Sequence, residues 1–139
     1  MSEKKLYSAK PGKQLTVFLE DRPGTLAEVI DVLRENGVNM LALSLAEGVD
    51  IGYLRITVDK FQEARKALEK TGHLVLERDV VLLEVANAPG GMASAIDQWA
   101  RAGINIEYAY SASGPGAERS LIVARVLDVD KAIAALEYK

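Results

Sequence analysis

A proline-glycine turn that leads into a helix carries the residue types best suited to bind a small charged molecule. It reads Asp21-Arg22-Pro23-Gly24-Thr25-Leu26-Ala27. Gly24 lets a ligand approach the backbone closely, and the first amides of the following helix are unpaired donors that favour an anion. Asp21 adds a carboxylate that could pair with an ammonium group. The turn therefore predicts a binding site for a molecule that carries both charges.

The same turn returns later in the chain as Asn87-Ala88-Pro89-Gly90-Gly91-Met92-Ala93. Pro23 and Pro89 are separated by 66 residues, and the same 66 residues separate Asn39 from Asn105. A shared offset across a turn, a helix and a strand start indicates a duplicated structural unit. The two asparagines lie in Gly37-Val38-Asn39-Met40 and in Gly103-Ile104-Asn105-Ile106. Each asparagine brings both donors and acceptors to the start of a strand, so it could contact either charged group of a ligand.

Each of these residues also has a purely structural interpretation. The proline-glycine pairs could simply form turns, the asparagines could be turn residues, and Asp21 could be a solvated or capping carboxylate. The second copy has Asn87 in place of Asp21 and Gly91 in place of Thr25, so it lacks both the charge and the hydroxyl. The two sites are therefore predicted to differ, with the first copy favoured as the working one.

The periodicity of apolar residues predicts the elements that position these turns. Gln14–Leu19 alternates as a strand, and a helix follows from Thr25, which with Glu28 has the spacing of a capping box. Asp59 and Gln62 form another possible capping pair before a second helix. The remaining predicted strands are Val38–Ala46, Tyr53–Val58 and Leu74–Leu76. The order is strand, helix, strand, strand, helix, strand.

The second copy repeats this order, with its second strand over Ile104–Tyr110. Beyond a longer turn the offset rises to 68, which places Lys139 at the position of Thr71, so the second copy is expected to lack its last strand. The lead-in segment Leu6–Ala9 or a partner subunit could cover the edge that this leaves. The predicted domains are residues 13–77 and 78–139.

A βαββαβ order predicts an α+β fold of two ferredoxin-like units, each an antiparallel sheet with its helices on one face. Right-handed crossovers place the first strand beside the third and fourth. Two runs, Met40–Leu43 and Val80–Leu83, are apolar at successive positions, which is typical of strands buried on both faces.

The composition excludes several classes of function. The chain of 139 residues has a formal net charge of −3, so it lacks the basic surface that nucleic acid or anionic lipid requires. It contains no cysteine and a single histidine, which excludes disulfides and thiolate metal sites and argues against a histidine-rich one. Neither a signal peptide nor a membrane span is predicted, and the expected compartment is the cytoplasm.

The Asp-x-Pro-Gly-x-Leu turn, the Gly-x-Asn strand starts and the βαββαβ order resemble the ACT domain. The resemblance covers nearly the whole chain from about Lys13, so the chain is similar to a stand-alone tandem ACT protein. ACT domains are regulatory modules that bind amino acids or similar small effectors, typically where domains pair side by side, between the first loop and the second strand. The implied ligand-binding residues are Asp21, Pro23, Gly24, Thr25, Leu26, Asn39, Met40, Asn87, Gly90, Gly91, Met92, Asn105 and Ile106.

Three hypotheses follow. The first is a non-catalytic regulatory protein that binds an amino acid, forms a homodimer or larger homo-oligomer, and possibly acts on an enzyme of amino-acid metabolism. The second is an enzyme, which is disfavoured because the sequence contains no nucleophile–base pair, paired catalytic carboxylates, phosphate loop or metal cluster, and no cofactor is expected. The third is an oligomerisation protein or regulatory subunit with degenerate ligand sites.

Overall fold

The chain folds into two compact units in a computed structural model that describes residues 7–137. The first unit is Lys13–Arg78, and the second unit combines residues 79–137 with residues 7–12. The elements are β1 (Tyr7–Glu20), α1 (Thr25–Glu35), β2 (Met40–Glu47), β3 (Ile51–Val58), α2 (Phe61–Lys70), β4 (Val75–Ala86), α3 (Gly91–Arg101), β5 (Tyr108–Ala112), β6 (Arg119–Arg125) and α4 (Val129–Glu137). No helix in the described part of the chain is long and apolar enough to span a membrane.

The first unit has the predicted ferredoxin-like plan. Its strands follow the order β2-β3-β1-β4, and β3 pairs antiparallel with both β1 and β2. The expectation that the first strand lies beside the third and fourth is confirmed. One core joins α1 and α2 to the same face of the sheet, through Val29 and Leu33 of α1 and Ala64 and Leu68 of α2. Burial of these apolar stripes is the main free-energy gain of folding the unit.

The second unit repeats the plan, and residues 7–12 of β1 take the place of its missing last strand. Its strands follow the order β1-β4-β6-β5. Tyr7 and Ala9 pack against the core of this unit, and a Cβ atom added to Gly12 would lie 2.5 Å from Cγ of Leu82. The lead-in segment therefore covers the edge beside β4, which is one of the two alternatives that the sequence left open, the other being a partner subunit. Leu6 lies outside the described residues.

The centre of the second unit's core is Trp99 on α3, which is fully buried. Its indole Nε1 donates a hydrogen bond of 2.8 Å to the carbonyl oxygen of Ala132 on α4. The bond satisfies the polar atom of the indole inside an apolar core, which is the usual requirement for a buried tryptophan. It also connects the two helices that the sheet of this unit supports.

The predicted helix caps are wrong. Helix α1 is capped by Gly24, which has φ of 91° and makes no side-chain capping hydrogen bond. This left-handed residue places Thr25 inside the first turn, where its hydroxyl donates backwards to the carbonyl oxygen of Glu20 at 3.1 Å. Helix α2 is capped by Lys60, again without a side-chain bond. The carboxylate of Asp59 instead accepts a hydrogen bond of 2.9 Å from the backbone of Asn39.

Of the two strands predicted to be buried on both faces, one is confirmed. Val80, Val81 and Leu83 are fully buried. On β2, however, Leu41 and Leu43 are each 42% exposed, because β2 is the outermost strand of its unit's order and neither side chain belongs to the core that α1 and α2 cover. The second unit also departs from the predicted strand over Ile104–Tyr110, since β5 begins only at Tyr108.

Candidate functional site

The first turn of the chain presents unpaired backbone donors. The backbone of Arg22 folds back to the carbonyl oxygen of Glu20 at 2.9 Å, and Gly24 then starts the helix, accepting a bond of 3.0 Å from the amide of Glu28. Within residues 7–137 the amides of Leu26 and Ala27 have no hydrogen-bond partner. These are the donors that every helix leaves free at its first turn, and the helix dipole makes their surroundings favourable for an anion.

A concave cavity of about 410 Å³ opens beside these amides. Its walls come from the end of β1, the turn, the start of α1, the end of β2 and the start of β3. The lining residues are Leu19, Glu20, Asp21, Arg22, Gly24, Thr25, Leu26, Leu45, Ala46, Glu47 and Gly52. We call it the first cavity.

The first cavity carries an excess of negative charge. Arg22 is held by two carboxylates, with Nε 3.0 Å from Oε2 of Glu20 and Nη1 3.3 Å from Oε1 of Glu28. The hydrogen bonds that Arg22 donates to Glu20 and, with a smaller effect, to Glu28 raise the pKa of its guanidinium. Asp21 and Glu47 have no partner among the described residues. The cavity therefore combines free anion-binding amides with carboxylates that remain available to a cation.

The equivalent place in the second unit holds a cavity of about 390 Å³, which we call the second cavity. Seven of its nine lining residues match lining residues of the first cavity at offsets of 66 or, beyond the longer turn, 68; the exceptions are Pro89 and Ile122. The nine are Val85, Ala86, Asn87, Ala88, Pro89, Met92, Ser111, Ser120 and Ile122. The helix start is also alike, because Gly90 has φ of 91° and the amide of Ser94 donates to its carbonyl oxygen at 3.0 Å.

The chemistry of the second cavity differs from that of the first. Asn87, which stands in place of Asp21, donates its side-chain amide to the carbonyl oxygen of Ala117 at 2.8 Å. Its backbone amide donates to the carbonyl oxygen of Glu118 at 2.9 Å. A carboxylate could not make the first of these bonds, because it has no proton to donate. The asparagine thus fastens the turn to the β5–β6 connection instead of presenting a charge.

Two serines of the second cavity were missed by the sequence analysis. Ser111 stands at the position of Leu45, and Ser120 at that of Gly52. Ser120 is opposite Val85 on β4, and Ser111 is opposite Ile122 on β6, so both side chains lie on the face that carries the core and the helices. The repeat distinguishes both positions, since a hydroxyl stands where the first copy has an apolar or absent side chain, but only the strand register places them at a cavity.

The structure brings together some of the predicted site residues. Asp21, Gly24, Thr25 and Leu26 line the first cavity, although the hydroxyl of Thr25 is already used in its bond to Glu20. Asn87 and Met92 line the second cavity. Three further residues belong to the same turns without lining either cavity: Pro23, Gly90 and Gly91.

The remaining predicted residues lie elsewhere in their own units. Asn39 and Met40 are at the start of β2, whereas Leu45–Glu47 at its end line the first cavity, a separation of about 20 Å along the strand. The backbone of Asn39 is paired with Asp59. Asn105 and Ile106 precede β5, and Ile106 packs against the core. Because β1 and β2 both pair antiparallel with β3, the turn after β1 meets the end of β2 and not its beginning.

Residues 12–136 match the family model described as an ACT domain pair. The chain therefore belongs to the ACT domain pair family. This agrees with the two βαββαβ-type units and with the paired cavities at equivalent turns.

The fold is shared with several solved structures. It is 36% identical to a Bacteroides thetaiotaomicron protein, covering 93% of this chain and 88% of that one, with a TM-score of 0.85. The regulatory subunit of aspartate kinase from Thermus thermophilus, in its ligand-free form, is 23% identical, with coverage of 90% of each chain and a TM-score of 0.67. That from Thermus flavus is 21% identical over 94% of each chain, with a TM-score of 0.63. No curated protein matches the chain.

Proposed function

We propose that the protein is a non-catalytic, cytoplasmic regulator that binds an amino acid in the first cavity. The observation that carries this proposal is the presence of both charge-complementary groups in one cavity of about 410 Å³. The free amides of Leu26 and Ala27 would receive the α-carboxylate, and the carboxylates of Asp21 and Glu47 would receive the α-ammonium. Membership of the ACT domain pair family and the fold shared with regulatory subunits of aspartate kinase support a regulatory role.

Regulation requires that the ligand favour one of two arrangements of the protein or its partner. We propose that the arrangement is a homodimer or larger homo-oligomer, and that an enzyme of amino-acid metabolism is a possible partner. The exposed Leu41, Leu43 and Leu45 of β2 form an apolar surface that ends at the first cavity. Asn39 is remote from the cavity of its own unit, and we propose that it contacts a ligand held in the cavity of a second copy.

A thermal-shift screen of all twenty amino acids should identify the ligand. One or a few should raise the melting temperature, and at a hundredfold excess over Kd the gain should correspond to about 2.7 kcal/mol. Asp21→Asn, which introduces the residue of the second copy, should weaken binding about tenfold because it removes the charged partner of the ammonium. Asp31→Asn is the matched control, since Asp31 is an exposed carboxylate of α1 outside the cavity.

The outcomes of the screen separate the two leading hypotheses. A response to particular amino acids that Asp21→Asn reduces and Asp31→Asn preserves supports the proposed site. A flat response to the whole panel would instead favour the oligomerisation protein with degenerate ligand sites. Equal binding by Asp21→Asn and the parent protein would refute the role given to Asp21.

Sedimentation should show a dimer or larger assembly in the micromolar range. Leu43→Lys introduces a charge into the apolar surface of β2. It should shift the protein towards the monomer, because the charge would have to be buried at the interface. Leu76→Lys is the control, since Leu76 is a similarly exposed leucine on a different strand, at 37% exposure. Monomeric behaviour of the parent protein at all concentrations would contradict this arrangement.

A further inference from the structure

Ser120 in the second cavity is a buried polar residue with an unused hydroxyl. It is 8% exposed, and its hydroxyl has no hydrogen-bond partner within residues 7–137. Every side-chain nitrogen or oxygen that is fully enclosed in this part of the chain does have a partner. The hydroxyl of Ser120 must therefore be the part of the residue that opens into the second cavity, which Ser120 lines. A hydroxyl held in a buried residue but open to a cavity is available to a ligand that displaces water from it.

The groups around Ser120 are donors. The amides of Met92 and Ala93 at the start of α3 have no partner within the described residues, and the helix dipole favours an anion there. Ser111 offers a second hydroxyl on the same face of the sheet, from the strand next to that of Ser120. Backbone amides and hydroxyls arranged around one cavity are suited to the two oxygens of a carboxylate.

The second cavity gives a cation no equivalent partner. None of the described residues that line it is charged, whereas the first cavity has Glu20, Asp21 and Glu47. The rest of its wall is apolar, with Val85, Ile122 and the half-exposed Met92. A short aliphatic chain would cover the exposed part of Met92 and exclude water from it, beside Val85 and Ile122, which are already buried.

We infer that the second cavity binds the carboxylate of a small aliphatic acid and does not require an ammonium group on it. A 2-oxo acid would therefore bind here as well as, or better than, the amino acid of the same carbon skeleton. The inference extends the proposed function, because it assigns the two units of one regulator to ligands of different charge. Each ligand is selected by the residue at the first position of the turn, Asp21 or Asn87.

The test uses three probes with the same branched skeleton: 3-methyl-2-oxobutanoate, valine and isobutylamine. Amide resonances of Met92 and Ala93 report on the second cavity, and those of Leu26 and Ala27 on the first. The 2-oxo acid should shift the resonances of Met92 and Ala93 and leave those of Leu26 and Ala27 unchanged. The amine should not shift Met92 or Ala93. The inference is overturned when the 2-oxo acid leaves Met92 and Ala93 unmoved, or when the amine shifts them equally.

Ser120→Ala separates a binding hydroxyl from a structural one. Loss of a hydrogen bond to a carboxylate should weaken binding of the 2-oxo acid about tenfold or more. Because the hydroxyl opens into the cavity and can bond to water, its removal should leave the melting temperature of the ligand-free protein nearly unchanged. The matched control is Ser94→Ala, whose hydroxyl already donates to the carbonyl oxygen of Gly90 at 2.7 Å and which should leave the affinity unchanged.

A lower melting temperature of Ser120→Ala with unchanged affinity would assign a purely structural role to the hydroxyl and overturn the inference. The two proposals also fail separately. Valine bound at Leu26 and Ala27 without any 2-oxo acid at Met92 and Ala93 would leave the proposed function intact and refute the inference. A 2-oxo acid bound at the second cavity, with no amino acid bound anywhere, would refute the proposed amino-acid regulator and support the inference.

Discussion

Trp99→Ala is expected to lower the free energy of unfolding of the second unit by about 3–5 kcal/mol. Trp99 is fully buried at the centre of that unit's core, so the substitution removes a large apolar side chain and leaves a cavity that α3 and α4 can only partly close. It also removes the hydrogen bond to Ala132. Since native domains are stable by only about 5–15 kcal/mol, this loss is a large fraction of the total and should lower the urea concentration at the midpoint of unfolding substantially.

The measurement is urea denaturation followed by far-ultraviolet circular dichroism, because the variant lacks the only tryptophan and cannot be followed by its fluorescence. Trp99→Phe is the matched control. It keeps an aromatic ring in the core but has no N–H donor, so it should lose clearly less stability than Trp99→Ala. Unfolding of Trp99→Ala at the same urea concentration as the parent protein would contradict the placement of this residue at the centre of the core.

Gly91→Ala is expected to destabilise the protein by about 3 kcal/mol, at the upper end of the range for overpacking. A Cβ atom added to Gly91 would lie 2.0 Å from the carbonyl oxygen of Ala86 and 3.0 Å from its carbonyl carbon. Both are backbone atoms of β4, so the contact can be relieved only by moving the start of α3. Helix propensity alone predicts the opposite result, because alanine in a helix is favoured over glycine by about 1 kcal/mol.

The equivalent residue of the first unit explains why the two turns differ. Thr25 stands there, and its hydroxyl reaches the carbonyl oxygen of Glu20 at 3.1 Å, so α1 leaves space for a side chain. Thr25→Ala, the matched variant, should therefore cost only about 1 kcal/mol, the worth of the lost hydrogen bond. Denaturation curves of the two variants test the comparison, and a Gly91→Ala protein as stable as its parent would refute it.

The close approach of α3 to β4 also links stability to binding. The free amides of Met92 and Ala93 follow Gly91 directly, so a displacement of the helix start would move them relative to Ser120. Gly91→Ala should consequently weaken carboxylate binding in the second cavity while it leaves the first cavity unchanged. Because Gly91 is absent from the lining of the second cavity, such an effect would come from positioning and not from contact.

The sequence predicted the fold and the turn residues of each cavity. The shared offset of 66 residues identified the duplication, and the alternation of Leu15, Val17 and Leu19 identified a strand whose three side chains are in the core. The turn around Gly24 was predicted to hold free amides, and it does. These features are local, because they depend on the chain's own periodicity and on residues a few positions apart.

The features that were missed depend on how strands pair. Asn39 was predicted to bind a ligand together with the residues of the first turn, and the pairing of β1 and β2 with β3 puts it at the opposite end of β2 from their cavity. Ser120 could be recognised as a cavity residue only once its register opposite Val85 was known. Side-chain hydrogen bonds also depend on contacts between distant segments. The side-chain amide of Asn87 donates to the carbonyl oxygen of Ala117, which is 30 positions away.

By itself the sequence determined the repeated unit, its order of strands and helices, the residues of its core and its family. Only the tertiary structure decided that residues 7–12 complete the second unit, which end of β2 faces the first turn, and that Ser120 and Met92 line one cavity. The physical reason is that apolar periodicity fixes what each segment becomes, whereas the groups that meet in a cavity are set by strand register between segments distant in the chain.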